Sequence, residues 1–333
     1  MTQATYDVLG IGNAIVDILA HAEDDFLLRH KMQKGAMALI DEARAHAIYE
    51  AMGPAVEVSG GSAANTIVGV AGFGGRAAFC GKVKRDALGD TFTHDIRAAG
   101  VTFRTPPASD GPATARSYIL VTPDGERTMN TYLGAAQDLG PEDVDEALVA
   151  ASAIVYLEGY LWDPERAKHA FRKAAEKAHA AGRVVALTLS DSFCVDRFRE
   201  EFLALVRSGT VDLLFANESE LKSLYETADF DTALRALRED AALAVVTRSE
   251  KGCVVVTREH TQAVPAFPVE RVVDTTGAGD LFAAGFLFGL ARGRDLETAA
   301  RLGNLAAAEI IQHLGARPEC ALRDRAAENG LPV

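Results

Sequence analysis

Several features that would place the 333-residue chain in a large protein class are missing from it. No segment approaches the ~18 uncharged apolar residues of a membrane-spanning helix, so no membrane partner is expected. The start, Met1-Thr2-Gln3-Ala4-Thr5-Tyr6-Asp7, has no basic stretch followed by an apolar run, and a cytoplasmic protein is expected. The four cysteines, Cys80, Cys194, Cys253 and Cys320, form no Cys-x-x-Cys pair and have no histidine at ligand spacing, which points to four buried free thiols. Basic residues never gather in a long run, and 34 Lys and Arg stand against 47 Asp and Glu, a net charge of −13. Nucleic acid is therefore not an expected partner. There is no internal repeat, low-complexity stretch or Pro-rich linker, so residues 1–333 are read as a single unit with intertwined parts.

Two nucleotide-binding fingerprints are absent as well. A dinucleotide-binding Gly-x-Gly-x-x-Gly would need glycine where Gly10-Ile11-Gly12 is followed by Ile15. A P-loop ending at Gly81-Lys82 would need glycine at Arg76 and Ser or Thr at Val83.

What is present suits a large packed core: 48% of residues are apolar and 24% charged. Short apolar, β-branched runs at 8–11, 153–157, 184–189, 211–215 and 243–247 read as buried parallel strands. Between them lie helical stretches such as Pro164 to Ala181, ended by Gly182. The alternation predicts an α/β fold, a doubly wound and mostly parallel sheet flanked by helices, with ligands bound beyond the carboxyl ends of the strands. The rhythm breaks at about 15–50 and 102–135. In the second break, Thr114 to Val121 and Arg127 to Tyr132 flank the turn Pro123-Asp124-Gly125 and read as a β-hairpin. It is either a small β lid that excludes water from a reaction or an ordinary edge hairpin.

The most informative segment is Asp274-Thr275-Thr276-Gly277-Ala278-Gly279-Asp280, which precedes the apolar stretch Leu281 to Leu290. That stretch reads as a buried helix. The small residues Gly277, Ala278 and Gly279 would let a ligand approach the unpaired N–H groups of the first turn, where the helix dipole favours an anion. Asp280 would repel an anion that was merely bound, so it reads as a base that takes the proton of a hydroxyl attacking phosphate. The plainer alternative is close helix packing by Gly-Ala-Gly, with Asp280 as a cap.

This segment resembles the signature of the ribokinase-like, or phosphofructokinase B, family of sugar and nucleoside kinases. The resemblance implies a ribokinase-like fold, Asp280 as catalytic base, and Gly277, Ala278 and Gly279 as the anion hole. Gly60-Gly61-Ser62-Ala63-Ala64-Asn65 is similar to the family's Gly-Gly acceptor motif. Paired glycines allow positive φ and close backbone contact, and Asn65 offers a donor and an acceptor to sugar hydroxyls. Asn217-Glu218-Ser219-Glu220 is similar to the Asn-x-x-Glu motif that helps hold Mg²⁺, through water, and phosphate; read alone, Asn217 and Glu220 form a capping pair. Thr247-Arg248-Ser249-Glu250-Lys251-Gly252 resembles the family's ATP-binding turn, with Ser249 where glycine is usual. By the same resemblance Asn304 lies near the adenine of ATP, against an ordinary helix-surface role, and Asp274 with Thr276 forms a site for a monovalent cation such as K⁺.

Gly10-Ile11-Gly12-Asn13-Ala14-Ile15-Val16-Asp17 is similar to a segment of the family's adenosine kinases. Asp17 implies a polyol acceptor and Asn13 tilts the choice towards a nucleoside. Phe193, after the strand at 184–189, would stack on a purine or sit in the core. Arg127 matches a lid arginine that turns to the phosphates, or is a solvated hairpin charge. The expected activity is ATP-dependent phosphorylation of a purine nucleoside, adenosine first, by a monomer or homodimer. A sugar kinase of the same family and a silent nucleoside- or sugar-binding protein are the alternatives.

Overall fold

The computed structural model of the chain describes residues 4–333. Among the described residues fourteen strands fall into two sheets. In chain order they are β1 (Tyr6–Ile11), β2 (Ile15–His21), β3 (Met37–Leu39), β4 (Ala55–Gly60), β5 (Ala77–Cys80), β6 (Thr102–Phe103), β7 (Ala115–Val121), β8 (Arg127–Tyr132), β9 (Ser152–Glu158), β10 (Val184–Thr188), β11 (Leu213–Asn217), β12 (Leu243–Thr247), β13 (Cys253–Thr257) and β14 (Thr261–Val264).

The nine-stranded sheet runs β14-β13-β12-β11-β10-β9-β1-β5-β6. Its pairings from β11–β12 through β5–β6 are parallel, and only β12–β13 and β13–β14 are antiparallel. Successive strand residues point to opposite faces, and the two faces carry separate cores. Val8, Ile154, Tyr156, Ala186, Phe215 and Val245 lie in one; Leu9, Val155, Leu157, Leu187, Leu214 and Val246 lie in the other. Both faces are covered by helices, which explains why the strands read as unbroken apolar runs. The doubly wound α/β architecture predicted from the sequence is the one observed.

The five-stranded sheet, β3-β8-β7-β2-β4, is built from segments inserted between strands of the large one. β7 and β8 form the expected hairpin, paired from Arg116–Tyr132 to Val121–Arg127. The bounds read from the sequence differ at two places. β4, at 55–60, belongs to this second sheet through its pairing with β2, whereas Thr102 and Phe103 extend the main sheet beside β5. Both are short or exposed stretches without the apolar pattern that marked the other strands.

Burial divides the cysteines: Cys80, Cys194 and Cys253 are buried, but Cys320 is exposed, which corrects the expectation of four buried thiols. It lies in an irregular stretch outside both cores. Among the described residues no helix is long and apolar enough to cross a membrane.

The helix Ala278–Ala291 is buried from Leu281 to Gly289 and packs on the helices Ser62–Gly72 and Leu296–Ile310. Small residues set the approach. A Cβ on Gly285 would collide with the carbonyl of Leu302, and one on Gly69 would stand 2.6 Å from the Ala284 methyl. This packing fixes the start of the 278–291 helix against the strand ends. Gly285→Ala is expected to cost about 1–3 kcal/mol through overpacking against backbone. The loss is read as a lower denaturation midpoint at unchanged slope; a variant as stable as wild type would show slack in the helix pair.

Candidate active site

The first half of the site forms where β1 ends. Asn13 is buried, and both its backbone N–H and its side-chain Nδ2 donate to Oε1 of Glu158, at 3.3 and 2.6 Å. Glu158 closes β9, and its Oε2 accepts from the Ala63 N–H at 2.8 Å. It thus ties β1, β9 and the start of the 62–72 helix together. A Cβ on Gly12 would collide with Glu158 Oε2, so the carboxylate needs glycine there. Burial pushes the Glu158 carboxyl up to about 7 against the pull of these three N–H donors.

Asp17 follows on β2, beside Gly60 at the end of β4, where a Cβ would strike the carboxylate. Its carboxyl is raised to about 7, mainly by burial; Arg317 and Arg127 pull it down and Asp280 pushes it up. Gly61 has φ +99° and caps the 62–72 helix, with a Cβ there barred by the carbonyl of Asn13. That positive φ and close approach are what the Gly-Gly pair is for.

Asp280 sits in the first turn of the 278–291 helix and receives two side chains from the 62–72 helix. The Ser62 hydroxyl donates to Oδ1 at 2.6 Å and Asn65 Nδ2 donates to Oδ2 at 3.2 Å. Burial holds its carboxyl above the ordinary range, opposed by those two hydrogen bonds and by Arg317. Asn65 Oδ1 is buried without a partner, an acceptor open to a donor on a ligand. Residues 218 and 215 positions apart in sequence are thereby joined.

The turn expected to bind an anion departs from the sequence reading at Ala278. Gly277, at φ +80°, caps the helix, but the Ala278 N–H turns back on the Thr275 carbonyl at 3.2 Å. Among the described residues the N–H groups of Gly277, Gly279 and Asp280 have no backbone acceptor. A Cβ on Gly279 would meet nothing within 4 Å. Open space thus faces the helix start.

Arg127 is neither a solvated charge nor free to swing in from solvent. It is buried, and its Nη1 pairs with Asp274 Oδ2 at 2.8 Å. Asp274 also accepts from the Thr276 N–H at 3.0 Å and hydroxyl at 2.7 Å through Oδ1, and from the Gly315 N–H at 3.0 Å through Oδ2. All four lone-pair positions of the carboxylate are taken. These residues do not fit the monovalent cation expected at Asp274 and Thr276, because a guanidinium already supplies the positive charge. Arg127 Nε and Nη2 are buried without partners.

The second half lies at the ends of β11 and β12, where Asn217 and Thr247 are register partners. Asn217 and Glu220 form a reciprocal capping box: the Asn217 N–H and Nδ2 donate to Glu220 at 2.9 and 2.5 Å, and the Glu220 N–H returns to Asn217 Oδ1 at 2.8 Å. The plainer reading of this pair is thus the one seen. Burial first, then Asp191, raises the Glu220 carboxyl to about 7. A carboxylate so engaged fits Mg²⁺ only through a metal-bound water, on its remaining lone pairs. Among the described residues no group of three or more His, Cys, Asp or Glu is placed to hold a metal ion directly.

Ser249 has φ +51°, a left-handed conformation that explains why glycine is usual there. Gly252, at φ +81°, abuts the carbonyl of Val264. Asn304 is buried, not on a helix surface, and Nδ2 donates to the carbonyls of Pro265 and Val264 at 2.9 and 3.3 Å. Its amide donor therefore braces the backbone at the end of β14, beside Gly252. Phe193 is 61% exposed, with Arg197 over one face of its ring, which removes the core alternative and leaves the ring at the surface after β10.

Three residues escaped the sequence reading. Glu158 is the one charge in an otherwise apolar strand end, a signal that was there to be used. Tyr160, in the turn after β9, has Asp191, Asp280 and Glu220 for charged neighbours, and burial raises its hydroxyl. Arg317 lies just before a tail that carries no motif.

The family model for pfkB family carbohydrate kinases matches residues 50–322. Adenosine kinase of Saccharomyces cerevisiae is 28% identical over 335 residues, spanning 93% of this chain and 96% of that protein. Among solved structures, adenosine kinase from Sinorhizobium meliloti is 60% identical with a TM-score of 0.91, over 98% of this chain and all of that one. A probable sugar kinase protein from Rhizobium etli CFN 42 is 54% identical with a TM-score of 0.93, over 99% of this chain and all of that one. With a ribokinase-like α/β fold and a family match over most of its length, the chain belongs to the pfkB family of carbohydrate kinases and is an ATP-dependent phosphotransferase.

Proposed function

We propose that the chain transfers the γ-phosphoryl group of ATP to the 5′-hydroxyl of a purine nucleoside, adenosine before others, yielding AMP and ADP. The placement of Asp280 supports this most directly. It stands beside the Asn13–Asp17–Gly60 cradle in the helix start at 277–280, held by Ser62 and Asn65 and, among the described residues, in ion-pair contact with no cation. The acceptor proton passes to the Asp280 carboxylate as the hydroxyl oxygen attacks the γ-phosphorus, the bond to the bridging oxygen of ADP breaks, and ADP leaves. The N–H groups of Gly277 and Gly279, with Arg127 Nε and Nη2, face the charge that develops on the transferring oxygens.

Asp17 and the unpartnered Asn65 Oδ1 accept from ribose hydroxyls, and the exposed Phe193 and the half-exposed Tyr160 offer faces to a purine. The 60% identity to the Sinorhizobium meliloti adenosine kinase supports the nucleoside. A sugar acceptor is the second reading, favoured by the Rhizobium etli neighbour. Asn217, Thr247, Ser249 and Gly252 would cradle ATP. Mg²⁺, held through water near Glu220 and Asn217, would screen the phosphates. The five-stranded sheet serves as the lid, docked through the Arg127–Asp274 pair.

Two outcomes are expected. Gly279→Ala should fold with a midpoint equal to or slightly above wild type, because removing a helical glycine gains about 0.5–1 kcal/mol. Its kcat should fall about a hundredfold as the methyl fills the phosphate position; an unchanged kcat would contradict the anion site. With Mg-ATP, kcat/KM for adenosine should exceed that for ribose, fructose or a keto-deoxy sugar acid by more than about tenfold. Faster turnover of ribose or fructose than of any nucleoside overturns the nucleoside reading.

A further inference from the structure

Arg317 is the second positive charge of the acceptor half, and its contacts differ in kind from those of Arg127. It lies in the irregular segment after the 296–310 helix. Its Nε and Nη2 donate to the Ser59 carbonyl at 3.1 and 2.6 Å, Nη2 also to the Ser59 hydroxyl at 2.9 Å, and Nη1 to the Ala64 carbonyl at 3.3 Å. Those two carbonyls bracket Gly60-Gly61-Ser62-Ala63, the turn that presents Ser62 to Asp280. The Ser59 N–H is held in turn by Asp95 Oδ2 at 2.7 Å. A planar fork on two carbonyls is a job for which lysine is a poor substitute.

These partners are neutral, so the hydrogen bonds satisfy the guanidinium without cancelling its charge. Asp17, Asp95 and Asp280 are the carboxylates that feel it, and none of them is in ion-pair contact with it among the described residues. A direct salt bridge would occupy the oxygens that the acceptor must reach. A charge held one layer back does not.

We propose that Arg317 is a positioning residue for phosphoryl transfer: it clamps the Gly60–Ala63 turn against Asp280 and supplies uncommitted positive charge to Asp280 and Asp17 while leaving their oxygens open to the acceptor. The inference rests on Asp280 as the base. The groups facing Asp280 are Ser62 and Asn65 from the 62–72 helix, Asp17 from β2, Tyr156 and Glu158 from β9, Tyr160 from the following turn, and Arg317. Arg317 is the cation in that set, and it lowers both Asp280 and Asp17.

The test compares Arg317→Gln, which keeps a donor for the Ser59 carbonyl but no charge, with Arg317→Lys, which keeps charge without the fork. Activity is followed as kcat against pH with Mg-ATP and adenosine, and folding by circular dichroism. Asp280 must be ionised to act, so kcat falls on acidification through its pKa. In Arg317→Gln that acid limb should move up by about 0.5–1 pH unit. In Arg317→Lys it should coincide with wild type while the adenosine KM rises severalfold as the turn loosens. A folded Arg317→Gln with an unmoved limb, or equal displacement in both variants, overturns the inference. If Arg317→Gln does not fold, a displaced limb in Arg317→Lys overturns it and a coincident one supports it. A wild-type kcat with no acid limb removes Asp280 as base instead, which separates the two failures.

Discussion

Four carboxylates, the buried Glu158 and Glu220 and the half-buried Asp17 and Asp280, lose much of their water around the carboxyl ends of the main-sheet strands, and the rest of the site is arranged around the cost. Burial is the largest influence on each and raises all four. An ion pair would lower that cost but would close the site. On three of them the structure uses neutral donors instead: two from Asn13 and one from Ala63 on Glu158, two from Asn217 on Glu220, and Ser62 with Asn65 on Asp280. Carboxylates held this way are oriented yet keep lone pairs for hydroxyl groups, which suits an acceptor rich in them.

The same economy governs the arginines. Arg127 spends one nitrogen on Asp274, linking the β7–β8 hairpin to the segment that opens the 278–291 helix, and keeps two unpartnered. The second sheet is thus tied to that helix start through Arg127, and to the following chain through the Arg317 contacts on Ser59. Glycines complete the arrangement at the points where backbone or carboxylate passes too close for a side chain: Gly12 against Glu158 and Gly60 against Asp17.

Much of this was legible in the sequence because it is local. Apolar strand runs, the stop at Gly182, the hairpin turn and the Gly-Ala-Gly-Asp helix start all follow from residues within a few positions of one another. What stayed hidden depends on long-range pairing. Glu158 takes its place in the site only when Asn13, 145 positions away, folds against it, and Arg317 only when Ser59, 258 positions away, does. Arg127 and Asp274 were each singled out but read as separate ligand groups, since nothing in one segment announces the other. Asn304 is buried and Phe193 exposed, against the plainer alternative for each, because a polar residue can brace backbone inside and an aromatic ring can stand at a strand end. Asn217 with Glu220 shows the reverse: the three-residue spacing alone foretells the capping box that forms.

The central claim is that Asp280 acts on the acceptor hydroxyl and does not merely brace the site. Asp280→Asn is isosteric and keeps a hydrogen-bond acceptor for Ser62 or Asn65, so the decisive measurement is adenosine affinity by calorimetry alongside single-turnover phosphorylation with Mg-ATP. The account predicts affinity within a few-fold of wild type and a rate lower by about 10²–10⁴. Near wild-type turnover, or a lost rate explained entirely by lost binding, would contradict it.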